Sequence, residues 1–443
     1  MDRISLESSV VTVTEVKATY LLSFFHYTCL GLREASELSA KATQRAYMCR
    51  LHQVDNMISK PADRVPTLEL DAEENRCVWW AVYTLDSFSS LLPLLPSSIE
   101  DTSIATCLPA TVLTELTTTN LPPMPLGMLE DELDQTLQRL QGLEVAGTGL
   151  PGAVLQVAMI FATSMAREAQ CLRRLSQENE HYNLQPRLQL LKQKWDAMFT
   201  ALPVEFFERS RQALDRTTAD HHQRLEVLSI VCIAGAMASA PPLAANLNWP
   251  TEPQQDCSTS EGAWKLCIAH AQKIVKLHRE WLPPYFEKAN PILFSISWTA
   301  GALLTLEIMN ASLVDPQQKL DLLDALDFIM DYLQKFSRYW GLAMTLLRSL
   351  AQLRGHTWVK LDLRTILSLS QRVWAPLMQD IPGVGSSIAG MLPEVPENAI
   401  ISDLVDESMA WDPTRDWDPI ADFAGDDLTY AMNWLDSGPD LSS

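Results

Sequence analysis

Residues 73–88 read EENRCVWWAVYTLDSF, and this stretch decides the fold class. Two glutamates and an arginine lead into a tryptophan pair, and apolar side chains then dominate as far as Phe88. The stretch also holds Arg76 and Asp86, which lie about 15 Å apart along a helix axis and so cannot pair with each other. Because unpaired burial of a charge costs on the order of several kcal/mol, we expect each to find partners on neighbouring helices. We interpret both as polar locks of the core, and the alternative is a contact to a ligand.

The pattern around this stretch favours helices over strands. Glycine is sparse, at 16 of 443 residues, and no rhythm of Asn-Gly or Asp-Gly turns appears. Residues 1–375 are therefore predicted to form one all-α, multi-helix body. Its predicted helix starts are Thr12 with Glu15, a position near Ala35, Asp71 with Glu74 after a loop over 59–70, a position near Ala153, a position near Gly262 after a loop over 241–262, Pro291, and Asp315.

The longest periodic pattern begins at Asp315, which is predicted to cap a helix together with Gln318. Apolar residues then recur in alternating steps of four and three, which is a heptad stripe. The stripe consists of Leu322, Leu326, Ile329, Leu333, Phe336, Trp340, Ala343, Leu347 and Leu350. We interpret it as a face packed inside the helical body, with Trp80 and Trp340 as core anchors. A coiled-coil seam between two subunits is the alternative.

The ordered residues from 73 to 109 resemble the signature of the fungal-specific transcription factor regulatory domain, also called the middle homology region. In that family a Glu-Arg-Arg start leads to an aromatic pair, a Tyr, a Leu-Asp, a Gly-Arg-Pro loop and a closing Leu-Pro. The matching residues here are Glu73 or Glu74, Arg76, Trp79, Trp80, Tyr83, Leu85, Asp86, Pro96, Leu108 and Pro109. Cys77 and the Leu94-Leu95 pair depart from the pattern. The resemblance implies a helical regulatory body in a nuclear protein, without enzymatic activity or a cofactor.

Two further elements of the chain resemble the same family. Leu51-His52 match the Leu-Gly-Leu-His end of an alanine-rich helix, with Arg50 standing where the family has Gly. Leu191, Trp195, Leu202 and Pro203 resemble its Leu-Trp-Leu-Pro element.

The family's usual DNA-binding module is a six-cysteine binuclear zinc cluster, which needs tightly spaced thiolates. The eight cysteines here are scattered, with no Cys-x-x-Cys pair, and the net charge is −21. The densest basic spots, Arg173-Arg174 and Lys192 with Lys194, are too small for several phosphate contacts. We therefore expect no direct nucleic-acid binding. The alternative is a truncated activator whose zinc cluster is encoded upstream of Met1.

The remaining classes of function find little support in the sequence. The apolar run at 227–240 is too short to span about 30 Å of hydrocarbon, so we expect no membrane association. Four aspartates on one predicted helix superficially offer the magnesium site of an all-α terpene-synthase-like enzyme, namely Asp321, Asp324, Asp327 and Asp331. No Asp-Asp-x-x-Asp occurs there. A solvated acidic helix face is the preferred interpretation. His221-His222 is predicted to lie at the surface. No catalytic, metal or cofactor site is predicted.

The character of the chain changes after residue 375. Residues 376–400 are predicted to form a linker, and residues 401–443, with eleven acidic residues against one basic, carry −10 of the −21 charge. Such a segment is predicted to be disordered, yet its spaced apolar side chains suit a coactivator groove. The candidate contact residues are Trp411, Trp417, Phe423, Leu428, Trp434 and Leu435.

Together these patterns predict a nuclear transcription regulator that acts through coactivators or a DNA-binding relative. Homo- or heterodimerisation and control of a secondary-metabolite cluster are part of this hypothesis. An inert, solubilising tail is the alternative for residues 401–443.

Overall fold

The computed structural model describes residues 11–28, 32–57, 66–91, 97–107, 152–178, 185–201, 218–240, 256–313 and 315–374. These ranges contain twelve α-helices and no strands, which confirms the all-α prediction. The helices are α1 (Val13–Thr28), α2 (Leu32–Met48), α3 (Val54–Met57), α4 (Pro66–Leu91), α5 (Gly152–Glu178), α6 (Gln185–Ala201), α7 (Thr218–Ser239), α8 (Asp256–His278), α9 (Ile292–Met309), α10 (Pro316–Phe336), α11 (Gly341–Arg354) and α12 (Leu363–Val373). The predicted linker and tail, residues 376–443, lie outside the described residues.

Helix α9 lies at the centre of the protein. Its residues are mostly apolar and all of them are buried, so the helix needs cover on every face. Helices α7, α8, α10, α11 and α12 provide that cover. By length and composition α9 could cross a membrane, but it is wholly enclosed by the other helices. The apolar run at 227–240, which ends one residue beyond α7, is likewise almost entirely buried.

The first helices pack on one another and join the rest of the body through α5. Helices α1 and α2 pack closely, α4 lies against both, and α5 bridges α4 to α7. The predicted capping box opens α1: the Thr12 N–H donates to the Glu15 carboxylate at 2.8 Å, and the Glu15 N–H donates to the Thr12 hydroxyl at 3.3 Å. One continuous apolar cluster runs from Val16 to Trp374.

Two predicted helix starts are wrong. Helix α4 begins at Pro66, not Asp71, so the last five residues of the predicted loop over 59–70 are helical. Proline suits the first helical position because its missing N–H has no partner there and its φ is already helical. Helix α8 begins at Asp256, inside the predicted loop over 241–262.

The prediction of one continuous helix through the heptad stripe is also wrong. Helix α10 ends at Phe336 and α11 begins at Gly341. Between them the N–H groups of Tyr339 and Trp340 both donate to the Phe336 carbonyl at 2.9 Å. The Trp340 indole donates to the Phe286 carbonyl at 3.0 Å, which holds this tryptophan half-buried at the break.

The interpretation of the stripe as an internal face is supported. Its members apart from Trp340 are buried within this one chain, and both α10 and α11 pack on α9. A coiled-coil seam would need those side chains free for a second subunit. Asp315 caps α10 as predicted, although its carboxylate accepts from the Gln317 N–H, at 2.9 Å.

Candidate functional site

The two neighbouring tryptophans of α4 contact different parts of the protein. Trp80 is fully buried, and its indole donates to the Cys107 carbonyl at 2.8 Å. Trp79, also fully buried, packs edge-on against Tyr47 of α2, with ring centroids 5.6 Å apart. Residues 97–107, here called the clamped loop, are thus held from α4, and the Tyr47 hydroxyl accepts from the N–H of Glu100 at 3.3 Å.

Arg76 ties the clamped loop to α3 and α4. Its guanidinium donates to Asp55 (3.0 Å from Nε) and to Glu73 (2.7 Å from Nη1). Asp55 also accepts from the N–H of Cys107 at 2.8 Å. Burial raises the pKa of Asp55, but the bonds from Arg76 and Cys107 outweigh burial and hold the pKa below its ordinary value. The pKa of Arg76 is raised, because the bonds from the two carboxylates outweigh its own burial.

Asp86 holds the beginning of the clamped loop. Its carboxylate accepts from the N–H groups of Ser98 (3.0 Å) and Ile99 (3.3 Å), and from the Ser97 hydroxyl. A buried carboxylate with several donors no longer lacks a partner. The prediction that Arg76 and Asp86 pair elsewhere is therefore confirmed, and the structural interpretation is supported. The expected location of the partners is partly wrong, because Asp86 bonds to a loop and Glu73 lies on α4 itself.

Arg167 of α5 also contacts the clamped loop. It donates to the Ile99 carbonyl and pairs with Asp101 at 3.2 Å, while its guanidinium lies 5.1 Å from the centroid of the Tyr83 ring. Neither Arg167 nor Asp55 was predicted as a partner from the sequence. Asp55 had a local signal, since it follows Leu51-His52 closely, but nothing in the sequence pointed to Arg167.

The backbone before α3 completes the clamp. The Ala105 N–H donates to the His52 carbonyl at 2.8 Å, and the Val54 N–H donates to the Thr106 hydroxyl at 3.1 Å. Arg50, just before this turn, has φ of 57°. That left-handed backbone suits glycine best, and Arg50 stands where the family's pattern has Gly.

The charged side chains that form the clamp bind protein backbone or one another. The arrangement can therefore position a loop. Within the described ranges, no group of three or more His, Cys, Asp or Glu side chains is placed to hold a metal ion.

The acidic face of α10 is exposed and its carboxylates have separate partners. Asp324 pairs with Arg279 at 2.6 Å, and Asp331 pairs with Lys335 at 2.7 Å. The other two also diverge, Asp327 to Arg354 and Asp321 to Gln317. This geometry matches the solvated face and not a shared metal site.

The prediction that His221-His222 lies at the surface is wrong. His222 is buried, and its Nε2 lies 3.3 Å from Oε1 of Glu226, one helical turn further on. Glu226 in turn accepts from the Asn290 N–H at 2.8 Å. His221 is half-buried, with Nδ1 at 3.0 Å from the Tyr285 hydroxyl. The missed signal was the spacing of four residues between His222 and Glu226.

A half-open cavity of about 360 Å³ lies between the end of α8 and the C-terminal half of α10. We call it the aromatic–basic pocket because aromatic rings and cationic side chains dominate its lining. The lining residues are His278, Arg279, Trp281, Pro283, Phe286, Phe328, Tyr332, Lys335, Arg338 and Tyr339.

The deepest polar residue of this pocket is uncharged at neutral pH. Burial lowers the pKa of His278 to about 3, and its two ring nitrogens lie 3.3 and 3.4 Å from the hydroxyls of Ser229 and Ser297. The Tyr332 hydroxyl and the Trp281 indole nitrogen are buried and have no hydrogen-bond partner in the described part of the chain. The pocket therefore has neutral, aromatic walls and a charged rim.

The tail residues proposed as partner contacts, Trp411, Trp417, Phe423, Leu428, Trp434 and Leu435, lie outside the described residues. The structure therefore places the helical scaffold and leaves the tail contacts as a prediction.

Comparison with known proteins gives a family match for the N-terminal part of the chain. A search of curated proteins and a search of solved structures each gave no match. The family model described as the fungal specific transcription factor domain matches residues 3–120, which include α1 to α4 and the clamped loop. That family is regulatory and non-enzymatic. The resemblance seen in the signature is thus confirmed: residues 3–120 match the fungal specific transcription factor domain, and this match supports a fungal transcription regulator.

Proposed function

We propose that this protein is a nuclear transcription regulator that acts through protein partners, with residues 401–443 as its activation segment. The observation that carries the proposal is the match of residues 3–120 to a transcription factor domain. The clamp supports it, because Arg76 and Asp86 of that domain serve to hold a loop in place.

The composition of the tail supports an activating role. Eleven acidic residues against one basic keep the segment solvated. Five aromatic residues lie among the charges, and such side chains can fold onto a hydrophobic groove as a short amphipathic helix. Binding coupled to folding is weak and reversible, which suits a regulator that exchanges partners.

A reporter assay tests the tail directly. Residues 401–443 fused to an unrelated DNA-binding domain should activate transcription. Replacing Trp417, Phe423 and Trp434 with Ala should abolish activation while the charge stays constant. A matched control replaces Ser408, Thr414 and Ser437 with Ala and should keep activity. A silent fusion, or full activity in the aromatic triple variant, would reduce the tail to a solubilising segment.

Action through partners is supported by the net charge of −21, which repels the DNA backbone. A polarisation titration of the protein with duplex DNA at about 150 mM salt should show no binding below micromolar concentrations. Sequence-selective nanomolar binding would contradict the proposal. The genomic sequence upstream of Met1 tests the alternative, since a cysteine-rich exon there would favour a zinc-cluster activator.

Location and targets need cellular experiments. A fluorescent fusion of the whole chain should accumulate in fungal nuclei, and exclusion from nuclei would contradict a direct role in transcription. From the resemblance alone we extend the proposal to a secondary-metabolite cluster. Deletion of the gene should then lower the transcripts of neighbouring genes together, whereas scattered changes would argue against this extension.

A further inference from the structure

We propose that the aromatic–basic pocket binds the chain's own Trp-Asp-Pro repeat, residues 411–419, with one indole inside and the flanking carboxylates on the basic rim. The repeat reads WDPTRDWDP, so the tripeptide occurs at Trp411 and again at Trp417. This contact goes beyond the proposed function, because it can form whether or not the tail activates transcription.

The walls of the pocket suit a single aromatic side chain. Trp281 and Phe286 both meet the ring of Tyr332 edge-on, with centroids 5.9 and 5.7 Å from it. A cavity of about 360 Å³ between such rings is at the small end of ligand sites. Aromatic rings prefer these edge-to-face and offset arrangements, so an entering indole can add to the existing cluster.

The rim supplies charges of the opposite sign to the repeat. Arg279, Lys335 and Arg338 are exposed around the opening. The first two pair with exposed aspartates of α10, Asp324 and Asp331. Exposed ion pairs of this kind are weak, so an incoming carboxylate can exchange with them. Arg338 has no ion pair in the described part of the chain and is open to a new partner.

The sequence of the repeat fits this rim. Asp416 and Asp418 flank Trp417 on both sides. Insertion of the Trp417 indole therefore brings two carboxylates to the opening of the pocket together. A cation at the rim can also stack on the indole face, as Arg279 already does over Phe328, at 5.2 Å from the ring centroid.

The chain between the body and the repeat is long enough for an intramolecular contact. Thirty-six residues, 375–410, separate Trp374 from Trp411, and extended chain spans up to about 3.3 Å per residue. Tethering gives an effective concentration of about 1 mM, so a site with an intrinsic Kd of about 0.1 mM would be roughly nine-tenths occupied.

Hydrogen exchange with mass spectrometry on the full-length protein tests this contact. The wild type is compared with a Trp411→Ala/Trp417→Ala variant. At nine-tenths occupancy, amides in residues 279–288, 332–340 and 411–419 should exchange roughly tenfold faster in the variant. Trp434→Ala, elsewhere in the tail, is the matched control and should leave the pocket unchanged. Equal exchange at the pocket in wild type and double variant would overturn the proposal.

Charge exchange provides a second, independent readout. Arg338→Glu changes an exposed side chain and should speed exchange at the pocket. Combining it with Asp416→Lys should restore slow exchange, since the attraction is re-formed with reversed signs. Failure of this restoration would mean that the charges do not meet. Slow exchange that disappears on dilution of the wild type would assign the bound repeat to a second copy and overturn the intramolecular contact. All of these measurements are independent of a transcription reporter.

Discussion

Replacing Arg76 with Leu tests whether the charges of α4 hold the clamp together. The substitution leaves Asp55 and Glu73 without their cation, although their side chains are only 15% and 10% exposed. Breaking a buried ion pair by removing one partner costs about 3–5 kcal/mol. Asp55 keeps the N–H of Cys107, so we expect a loss near the lower limit, about 3 kcal/mol of unfolding free energy.

Urea unfolding measures this loss, and a matched surface pair is the control. Arg33 and Glu37 on α2 form an ion pair with side chains that are 86% and 67% exposed. Arg33→Leu should therefore leave the urea midpoint close to that of the wild type. Hydrogen exchange should also become faster at residues 105–107 in the Arg76 variant alone. If the two variants unfolded at the same urea concentration, the interpretation of Arg76 as a core lock would be refuted.

The pH dependence of an Asp55→Asn variant tests the same network through its carboxylate. The folded-state pKa of Asp55 lies below its ordinary value. Its stabilising contribution is therefore complete above the unfolded-state pKa, about 3.9, and is lost as the pH falls through the folded-state pKa. The variant should be less stable than wild type at pH 7, and the difference should shrink below about pH 4. The double variant Asp55→Asn/Arg76→Leu should lose less unfolding free energy than the sum of the two single losses, by more than about 1 kcal/mol.

Three further predictions concern packing and the rival enzyme class. Gly235→Ala should destabilise the protein by about 1–3 kcal/mol, because the new Cβ would lie 2.6 Å from the Trp195 ring. The Cβ of Gly262→Ala meets open space, so this variant should be more stable by up to about 1 kcal/mol. Thermal melts of both variants test the two directions. Trp80→Ala should cost about 3–5 kcal/mol, and Trp340→Ala should cost less since Trp340 is only half-buried; equal losses in urea unfolding would contradict the difference. Asp324→Ala should change the free energy of unfolding by less than about 0.5 kcal/mol. The wild type should not turn over a prenyl diphosphate with magnesium. If it did, and Asp324→Ala removed that turnover, the enzyme alternative would be favoured.

Local patterns in the sequence were sufficient to predict which faces are buried. The fully buried tryptophans of α4, the cap at Asp315 and the buried stripe of α10 and α11 all follow from side-chain chemistry repeated at helical spacing. The same reasoning predicted that Arg76 and Asp86 could not pair with each other. These features depend only on residues near one another in the chain.

Some of the failures depend on a distant residue, whereas the helix starts and the burial of His222 depend on residues near one another in the chain. The helix of the stripe ends at Phe336, and just beyond it the Trp340 indole bonds to the Phe286 carbonyl, a contact that no heptad pattern contains. Helix α4 starts at Pro66 although the spacing of Asp71 and Glu74 resembles a cap. Arg167 lies 68 residues after Ile99, whose carbonyl it binds, so the second side of the clamp could not be predicted from spacing.

The clamp extends beyond the residues that the family model matches. The family match ends at residue 120, but Arg167 of α5 binds the clamped loop and α4 packs on α5. The apolar cluster also continues through α9 to Trp374. Residues beyond the match therefore complete the packing of those within it. A perturbation of α5 should consequently reach the clamped loop, and Arg167→Leu should speed hydrogen exchange at residues 97–101. Unchanged exchange there would mean that α4 and α3 hold the loop without help from the rest of the body.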